Sequence, residues 1–297
     1  MLASNYPREK LEIIIVDNAS KDGSALAAKR KHPDVVLVEN RTNLGFSEGN
    51  NVGIRISKGD VVILLNNDVE VDRNWLQEIA KVAADAEVGI VGCKLLFGTT
   101  GIIQTLGFVT SKYGRGVSLC AGRDNSMLLP KTVEVDYVSG AALAVKRSVL
   151  HEVGLLDPFY FAYYEDTDLC YRAKRSGKRV VVATSAVVRH YVSQSWKRQQ
   201  IRQIFLIQRN GLYFKQKFFT GSALAKMLVL WPLQNASTDV LKVLRRGSVV
   251  ERVRTRQRGS GLVPSLGNAI LSTMAGWLIF YTILLVWPVY QRVKVGN

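Results

Sequence analysis

Short apolar runs alternate with amphipathic stretches along the first half of the chain. "LEIIIVDNAS" reads as a buried strand ending in a polar turn, and "KDGSALAAKRK" as the helix that follows it. "DVVLVEN" predicts a second strand. "NLGFSEGNNVGIRIS" opens on turn-forming Asn and Gly and runs into a short helix, and "GDVVILLNNDVEV" predicts a third strand with Asn66, Asn67 and Asp68 at its C-terminal end. "NWLQEIAKVAADA" has the spacing of an amphipathic helix, and "VGIVGCKLLF" is again strand-like. Strands and helices alternating over short connections predict an α/β fold with a doubly wound, mostly parallel sheet, whose ligands sit beyond the carboxyl ends of the strands. The polar tips "VDNAS" and "NND" then share one crevice.

The second half changes character. "DTDLCYRAKRSG" predicts a helix with acids in its first turn and basic residues toward its end, a pattern that suits the helix dipole. Around residues 195–203 strand-like sequence gives way to basic amphipathic helix, of which "IFLIQRNGLYFKQKFF" is the clearest part. It suits a helix that lies on a membrane or caps the first domain. Residues 224–233 are apolar except for Lys226 and too short to span a bilayer, so they read as interfacial or re-entrant. Residues 259–290 carry no charge, and "AILSTMAGWLIFYTILLVWPVY" matches the roughly 20 apolar residues that a hydrocarbon core requires. Trp277, Tyr281, Trp287 and Tyr290 lie toward its ends, as an interfacial belt would. The expected organisation is a catalytic domain over residues 1–200, basic interfacial helices over 201–260, and a membrane-embedded helix with a short tail over 261–297.

Charge sharpens this picture. Through Asp168 the chain has 18 Lys+Arg against 22 Asp+Glu; after it, 22 against 2. A half so basic expects an anionic partner: nucleic acid, acidic lipid or phosphorylated substrate. "RRGSVVERVRTRQR" supplies six arginines directly before the uncharged stretch, the juxtamembrane cluster expected on the cytoplasmic side. That continuity favours anionic membrane lipids over nucleic acid. Cys93, Cys120 and Cys170 are widely spaced without a CxxC pair, which argues against a zinc knuckle or a disulfide framework and for a reducing compartment.

Three places carry candidate chemistry. Asp68, after two amides at a strand end, reads either as a turn residue or N-cap, or as one carboxylate ligand of a hard divalent cation bound to phosphates. Glu165 and Asp166 read either as first-turn helix acids or as catalytic acids. The aromatics Phe159, Tyr160, Phe161, Tyr163 and Tyr164 divide between a core and a platform of ring surface. Arg172, Arg189 and Lys197 are cations that meet a phosphate group or form a solvated face.

Taken together, "IIIVDNASKDGS", "NLGFSEGNNVGI", "LLNNDVEV", "VSGAALAVKRSVLHEVGLLDPFYFAYYEDTDLCYR" and "RHYVSQS" resemble the family 2 inverting glycosyltransferases of the Rossmann-like GT-A fold. The resemblance runs over about residues 6–198 and is greatest to the branch that includes rhamnosyl- and galactofuranosyl-transferases. It implies transfer of a sugar from a nucleoside-diphosphate donor to a lipid-linked or polysaccharide acceptor, with Mg²⁺ or Mn²⁺, a transfer that the arginine cluster and the uncharged stretch put at the cytoplasmic face of the cell membrane. It also implies roles. Asp166 would be the general base and Glu165 would orient acceptor or base, with Asp168 holding the helix start. Asp68 would be a metal ligand and Asn67 would touch ribose or phosphate. His190 is either a second metal ligand or a structural histidine. Asp17, Asn18, Asn43, Gly45 and Asn50 would line the donor nucleotide.

The family's Asp-x-Asp becomes Asn66-Asn67-Asp68 here, and the family's first strand and helix have no counterpart before Tyr6. The expected consequences are an open slot beside "EIIIVD" and feeble nucleotide affinity. They keep a second reading in play, a catalytically degenerate membrane scaffold.

Overall fold

A computed structural model describes residues 3–111, 114–191, 200–222 and 224. The chain divides into two compact units, Met1–Thr110 with Gly116–Gln194, and Ser111–Arg115 with Ser195–Asn297.

The first unit is built in the predicted order. Strand β1 (Ile14–Asp17), helix α1 (Ser24–Lys31), strand β2 (Val36–Glu39), helix α2 (Gly45–Ile56) and strand β3 (Val61–Leu65) follow one another. Strand β4 (Val69–Val71), helix α3 (Trp75–Ala83) and strand β5 (Val88–Phe97) come next, and β5 covers the ten residues of "VGIVGCKLLF". Four short strands, β6 (Ile103–Thr105), β7 (Phe108–Thr110), β8 (Gly116–Ser118) and β9 (Thr132–Glu134), lead to β10 (Ala142–Lys146). Helices α4 (Arg147–Val153) and α5 (Glu165–Arg175) and the long strand β11 (Arg179–His190) complete the unit.

The main sheet has the order β3-β10-β5-β11-β4, with β6 added on β5 and β9 on β11. It is mixed, which corrects the expectation of a mostly parallel sheet: β5 and β11 run parallel, but β10 lies antiparallel between β3 and β5, and β4 and β9 are antiparallel to β11. The connection into β10 is a loop that enters from the carboxyl ends of β3 and β5, so the strand has to run back. All ten residues of β5 are buried, because helices cover both faces. On one side α3 contributes Trp75, Leu76, Ile79 and Ala83; on the other Val149 and Leu150 of α4 pack with Leu169, Cys170 and Ala173 of α5.

One predicted strand becomes two. "GDVVILLNNDVEV" breaks at Asn66–Asp68, and its halves, β3 and β4, are opposite ends of the strand order. Among the described residues β1 pairs only with β2, and β3 only with β10. Ile14, Ile15 and Val16 are correspondingly only half-buried. Among the described residues no strand pairs with the edge expected to be open beside "EIIIVD".

The start of α5 is fastened from behind. Asp168, 0% exposed at its side chain, accepts the Nε–H of Arg172 at 2.7 Å and the hydroxyl of Tyr160 at 3.2 Å. Arg172 also donates to the carbonyls of Val153, Gly154 and Leu155. Asp168 thus holds the helix start as expected, whereas Arg172 is committed to the scaffold and is no diphosphate contact. Arg172→Ala leaves a carboxylate buried without this cation, at a cost of about 3–5 kcal/mol. A lowered urea midpoint with unchanged denaturant slope is the expected result.

In the second unit α6 (Gln200–Phe218) forms where "IFLIQRNGLYFKQKFF" predicts it. Lys215 is buried, and burial pulls its ammonium down to about 7. No described helix is long and apolar enough to cross a membrane. The expected interfacial segment 224–233, with the exception of residue 224, the arginine cluster, the spanning stretch 259–290 and Lys197 lie outside the described residues.

Candidate active site

Asp166 sits in the first turn of α5, after a backbone of unusual conformation. Phe161, Tyr163 and Tyr164 all have positive φ, between 62° and 75°, a region that costs non-glycine residues free energy and recurs at functional sites. The half-buried Asp166 carboxylate accepts the N–H of Gly140 on Oδ2 at 2.8 Å and the N–H of Thr167 on Oδ1 at 2.6 Å. Burial pushes its carboxyl above the ordinary aspartate value, and these hydrogen bonds pull part of the way back. Glu165 is only 5% exposed, and its Oε2 has no hydrogen-bond partner. Burial first, and the neighbouring Asp166 charge second, raise it well above the usual range. The two environments differ: the Asp166 carboxylate is met by N–H donors that favour its charged form, and Glu165 Oε2 has none.

Two hydrogen bonds connect this turn to the other acid. Gly140, whose N–H meets Asp166, precedes Ala141, whose carbonyl accepts the N–H of Asn66 at 3.0 Å. The "NND" tip and the "EDTD" turn therefore flank the same loop. Asn67 is exposed there. Past it, Asp68 reaches the C-terminal end of β11, where its carbonyl accepts the N–H of Tyr191 and Val69 pairs with His190. His190 Nε2 lies 3.3 Å from Asp68 Oδ1, an atom that is buried and has no other hydrogen-bond partner. Among its influences the nearby imidazole is the largest, and it holds the Asp68 carboxyl below its usual value against the opposing effect of burial. On its other side His190 Nδ1 is 3.1 Å from Gln104 Oε1.

The residues expected to line the donor gather where β1 meets the start of α2. Asn18 donates to the Gly45 carbonyl at 2.7 Å, and its oxygen accepts from Asn40 and from the Leu44 N–H. Asn43 accepts the Gly45 N–H, Asn50 donates to the Phe46 carbonyl, and Asp17 accepts the Ser20 N–H in a turn. Gly45 has φ 78°, and a Cβ there would lie 2.5 Å from the Phe161 carbonyl oxygen, so no other residue fits. That carbonyl takes the N–H groups of Phe46 and Ser47 at the start of α2, which removes the helix terminus as an anion site. Asn18, Asn43 and Asn50 thus hold the backbone of "NLGF", which the Phe161 carbonyl ties to "FYFAYY", while Asp17 shapes the adjoining turn. Of the five aromatics Tyr160 is core, at 0% exposure; the other four are half-buried. Arg189 pairs with Asp72.

Comparison with known proteins gives this arrangement a family. The model for glycosyl transferase family group 2 matches residues 61–290, and that for glycosyl transferase family 2 matches residues 2–104. The chain belongs to the family 2 glycosyltransferases. The glycosyltransferase is 23% identical over 268 residues to the low-salt glycan biosynthesis hexosyltransferase Agl10 of Haloferax volcanii, covering 87% of this chain and 81% of the relative. It is 26% identical over 219 residues to an N-acetylglucosaminyl-diphospho-decaprenol L-rhamnosyltransferase of Mycobacterium tuberculosis, covering 65% and 70%. The solved mannosyltransferase PcManGT of Pyrobaculum calidifontis, in complex with GDP-Man and Mn²⁺, superposes with a TM-score of 0.55 at 18% identity, over 97% of this chain and 81% of that one. GalNAc-T7, solved with UDP, GalNAc and Mn²⁺, gives 0.58 at 17% identity, over 85% and 49%. These likenesses show the GT-A fold, and the Haloferax volcanii relative is named for glycan biosynthesis.

In the glycosyltransferase no group of three or more His, Cys, Asp or Glu side chains converges as a metal cage among the described residues. Asp68 and His190 are a two-ligand set that fits a divalent cation completed by phosphate and water: the orphaned Oδ1 and the imidazole nitrogen face one another. Sequence reasoning missed Gln104. It is 86 residues from His190 in the chain, belongs to no motif, and meets the imidazole through strand pairing alone.

Proposed function

We propose that this glycosyltransferase is metal-dependent and inverting, and that it moves a sugar from a nucleoside diphosphate to a hydroxyl of a lipid-linked or polysaccharide acceptor. The observation that carries the reading is the route Asp166–Gly140–Ala141–Asn66, which leaves a base and the Asp68–His190 pair on either side of one loop. Asp68 Oδ1 and His190 Nε2 would hold Mg²⁺ or Mn²⁺, a Lewis acid that stabilises the charge building on the departing diphosphate. Asp166 takes the proton of the acceptor hydroxyl as its oxygen bonds to the anomeric carbon. The carbon–oxygen bond to the diphosphate breaks on the opposite face, and the configuration inverts. Its two N–H partners fix Asp166 for that transfer. Glu165 orients the acceptor or the base. Half-buried Tyr163 and Tyr164 offer ring surface to a sugar, and exposed Asn67 meets ribose or phosphate.

The relatives, the arginine cluster and the uncharged stretch that follows it support a membrane-attached enzyme with its catalytic unit on the cytoplasmic face, bound to anionic lipid. The second reading, a degenerate scaffold, draws on the open edges of β1 and β3. Nucleotide sugars incubated with Mn²⁺ or Mg²⁺ and polyprenyl-diphosphate-linked acceptors separate the two. Transfer with an inverted anomeric configuration is expected. A folded chain that forms no product from any donor would establish the scaffold, and a retained configuration would remove Asp166 as base.

A further inference from the structure

Strand β6 brings to the site a residue that no motif marks. Its ladder to β5 pairs Leu95 with Thr105 and Leu96 with Ile103, so Gln104 is an extra residue without a partner opposite it. A bulge of this kind takes a side chain out of the alternating pattern and re-aims it. The strand is held on both sides of the bulge. The Gln104 carbonyl accepts the Ser118 hydroxyl at 3.3 Å, and the Thr105 hydroxyl donates to the Gly107 carbonyl at 2.7 Å. The half-buried amide thus delivered has its Oε1 3.1 Å from His190 Nδ1.

An amide oxygen only accepts, so the contact requires the proton of a neutral imidazole to be on Nδ1. Nε2 then presents a lone pair, and it is this atom that lies 3.3 Å from Asp68 Oδ1. Two acceptors aimed at one another repel unless a cation or a second ring proton lies between them; without a cation, that proton on Nε2 gives the contact that holds the Asp68 carboxyl low. The imidazole is fixed from three directions: β11 pairs its main chain with Val69 on one side and Phe97 on the other, and Gln104 holds the ring.

We propose that Gln104 is a positioning residue that keeps His190 in the Nδ1–H tautomer and turns Nε2 toward the cation shared with Asp68. It touches neither cation nor donor and acts through the imidazole, as outer-sphere partners of metal-bound histidines do. The inference rests on the metal reading above and adds to it a residue with a defined chemical requirement, an acceptor at the Oε1 position. Glu satisfies that requirement and Leu does not.

The test is Mn²⁺ binding by the full 297-residue chain, followed by the electron paramagnetic resonance of the free ion and by spin-echo modulation from a bound imidazole nitrogen. The wild-type chain is expected to show that nitrogen signal, and His190→Ala to lose it. Gln104→Leu should weaken Mn²⁺ binding by about 10- to 100-fold and reduce the nitrogen signal, with the thermal unfolding midpoint as a check on folding. Gln104→Glu should keep both. Unchanged Mn²⁺ affinity and nitrogen signal in Gln104→Leu overturn the role of Gln104 and leave the metal site standing. Equal loss in the Leu and Glu variants also overturns it, since the amide would then be donating. A wild-type chain whose bound Mn²⁺ gives no imidazole signal overturns the metal site and the inference together.

Discussion

Asp166→Asn is expected to lower sugar transfer by about 10²- to 10⁴-fold with donor binding unchanged, because the amide keeps the shape of the carboxylate and cannot take a proton. Single-turnover transfer, read beside calorimetric binding of the nucleoside diphosphate, checks both halves. The pH profile should carry the same signature. Burial holds the native Asp166 carboxyl above its ordinary value, so kcat/KM should fall on the acid side at a higher pH than an exposed aspartate would give, and the Asn variant should lack that limb. Stability moves the other way. Native Asp166 binds its proton more tightly than the unfolded chain does, so its contribution is fully favourable below the unfolded value and is lost as pH rises through the raised folded value. At neutral pH the Asn variant should therefore resist urea at least as well as the wild type. Unchanged turnover would remove Asp166 as the base.

Asp68→Asn has the second largest expected effect. Asp68 is the only carboxylate in the Asn66-Asn67-Asp68 turn, and its Oδ1 is the buried, unpartnered atom that faces His190. Its loss should weaken Mn²⁺ binding by more than the about 10- to 100-fold that a missing outer partner costs. kcat/KM for the donor should fall with it. His190→Ala should act in the same direction, and the double variant should add little, because the two side chains hold one ion. The main chain at Asp68 is fixed by the Tyr191 N–H and by the pairing of β4 with β11, so the fold should persist. Mn²⁺ affinity unaltered by either substitution would move the cation elsewhere.

Much of this enzyme is written in local pattern. β5 is the ten-residue apolar run it resembles, and α5 begins at the acids and ends among the basic residues that its dipole favours. What local pattern cannot carry is pairing between distant segments. Nothing in "AALAVKR" announces that β10 runs antiparallel between two strands of the opposite direction. "VVILLNNDVEV" is apolar on both sides of its amides, so its division between the two ends of the strand order is invisible until β11 offers β4 an edge. The site divides in the same way. Asp68, Glu165 and Asp166 stand in motifs that mark them as candidates, whereas Gln104 depends on a one-residue slip in a ladder. Asn18 and Asn50 looked like ligand contacts, yet their amides tie down the start of α2, since short polar side chains serve backbone carbonyls as readily as ribose.

The most direct measurement is a crystal structure with Mn²⁺ and a non-transferable nucleoside-diphosphate sugar. The expected density has the ion bound by Asp68 Oδ1 and His190 Nε2, with the anomeric carbon between the diphosphate and Asp166. A diphosphate seated away from Asp68, or a sugar whose anomeric carbon turns its free face away from Asp166, would contradict a single cleft with a cation at one end and a base at the other.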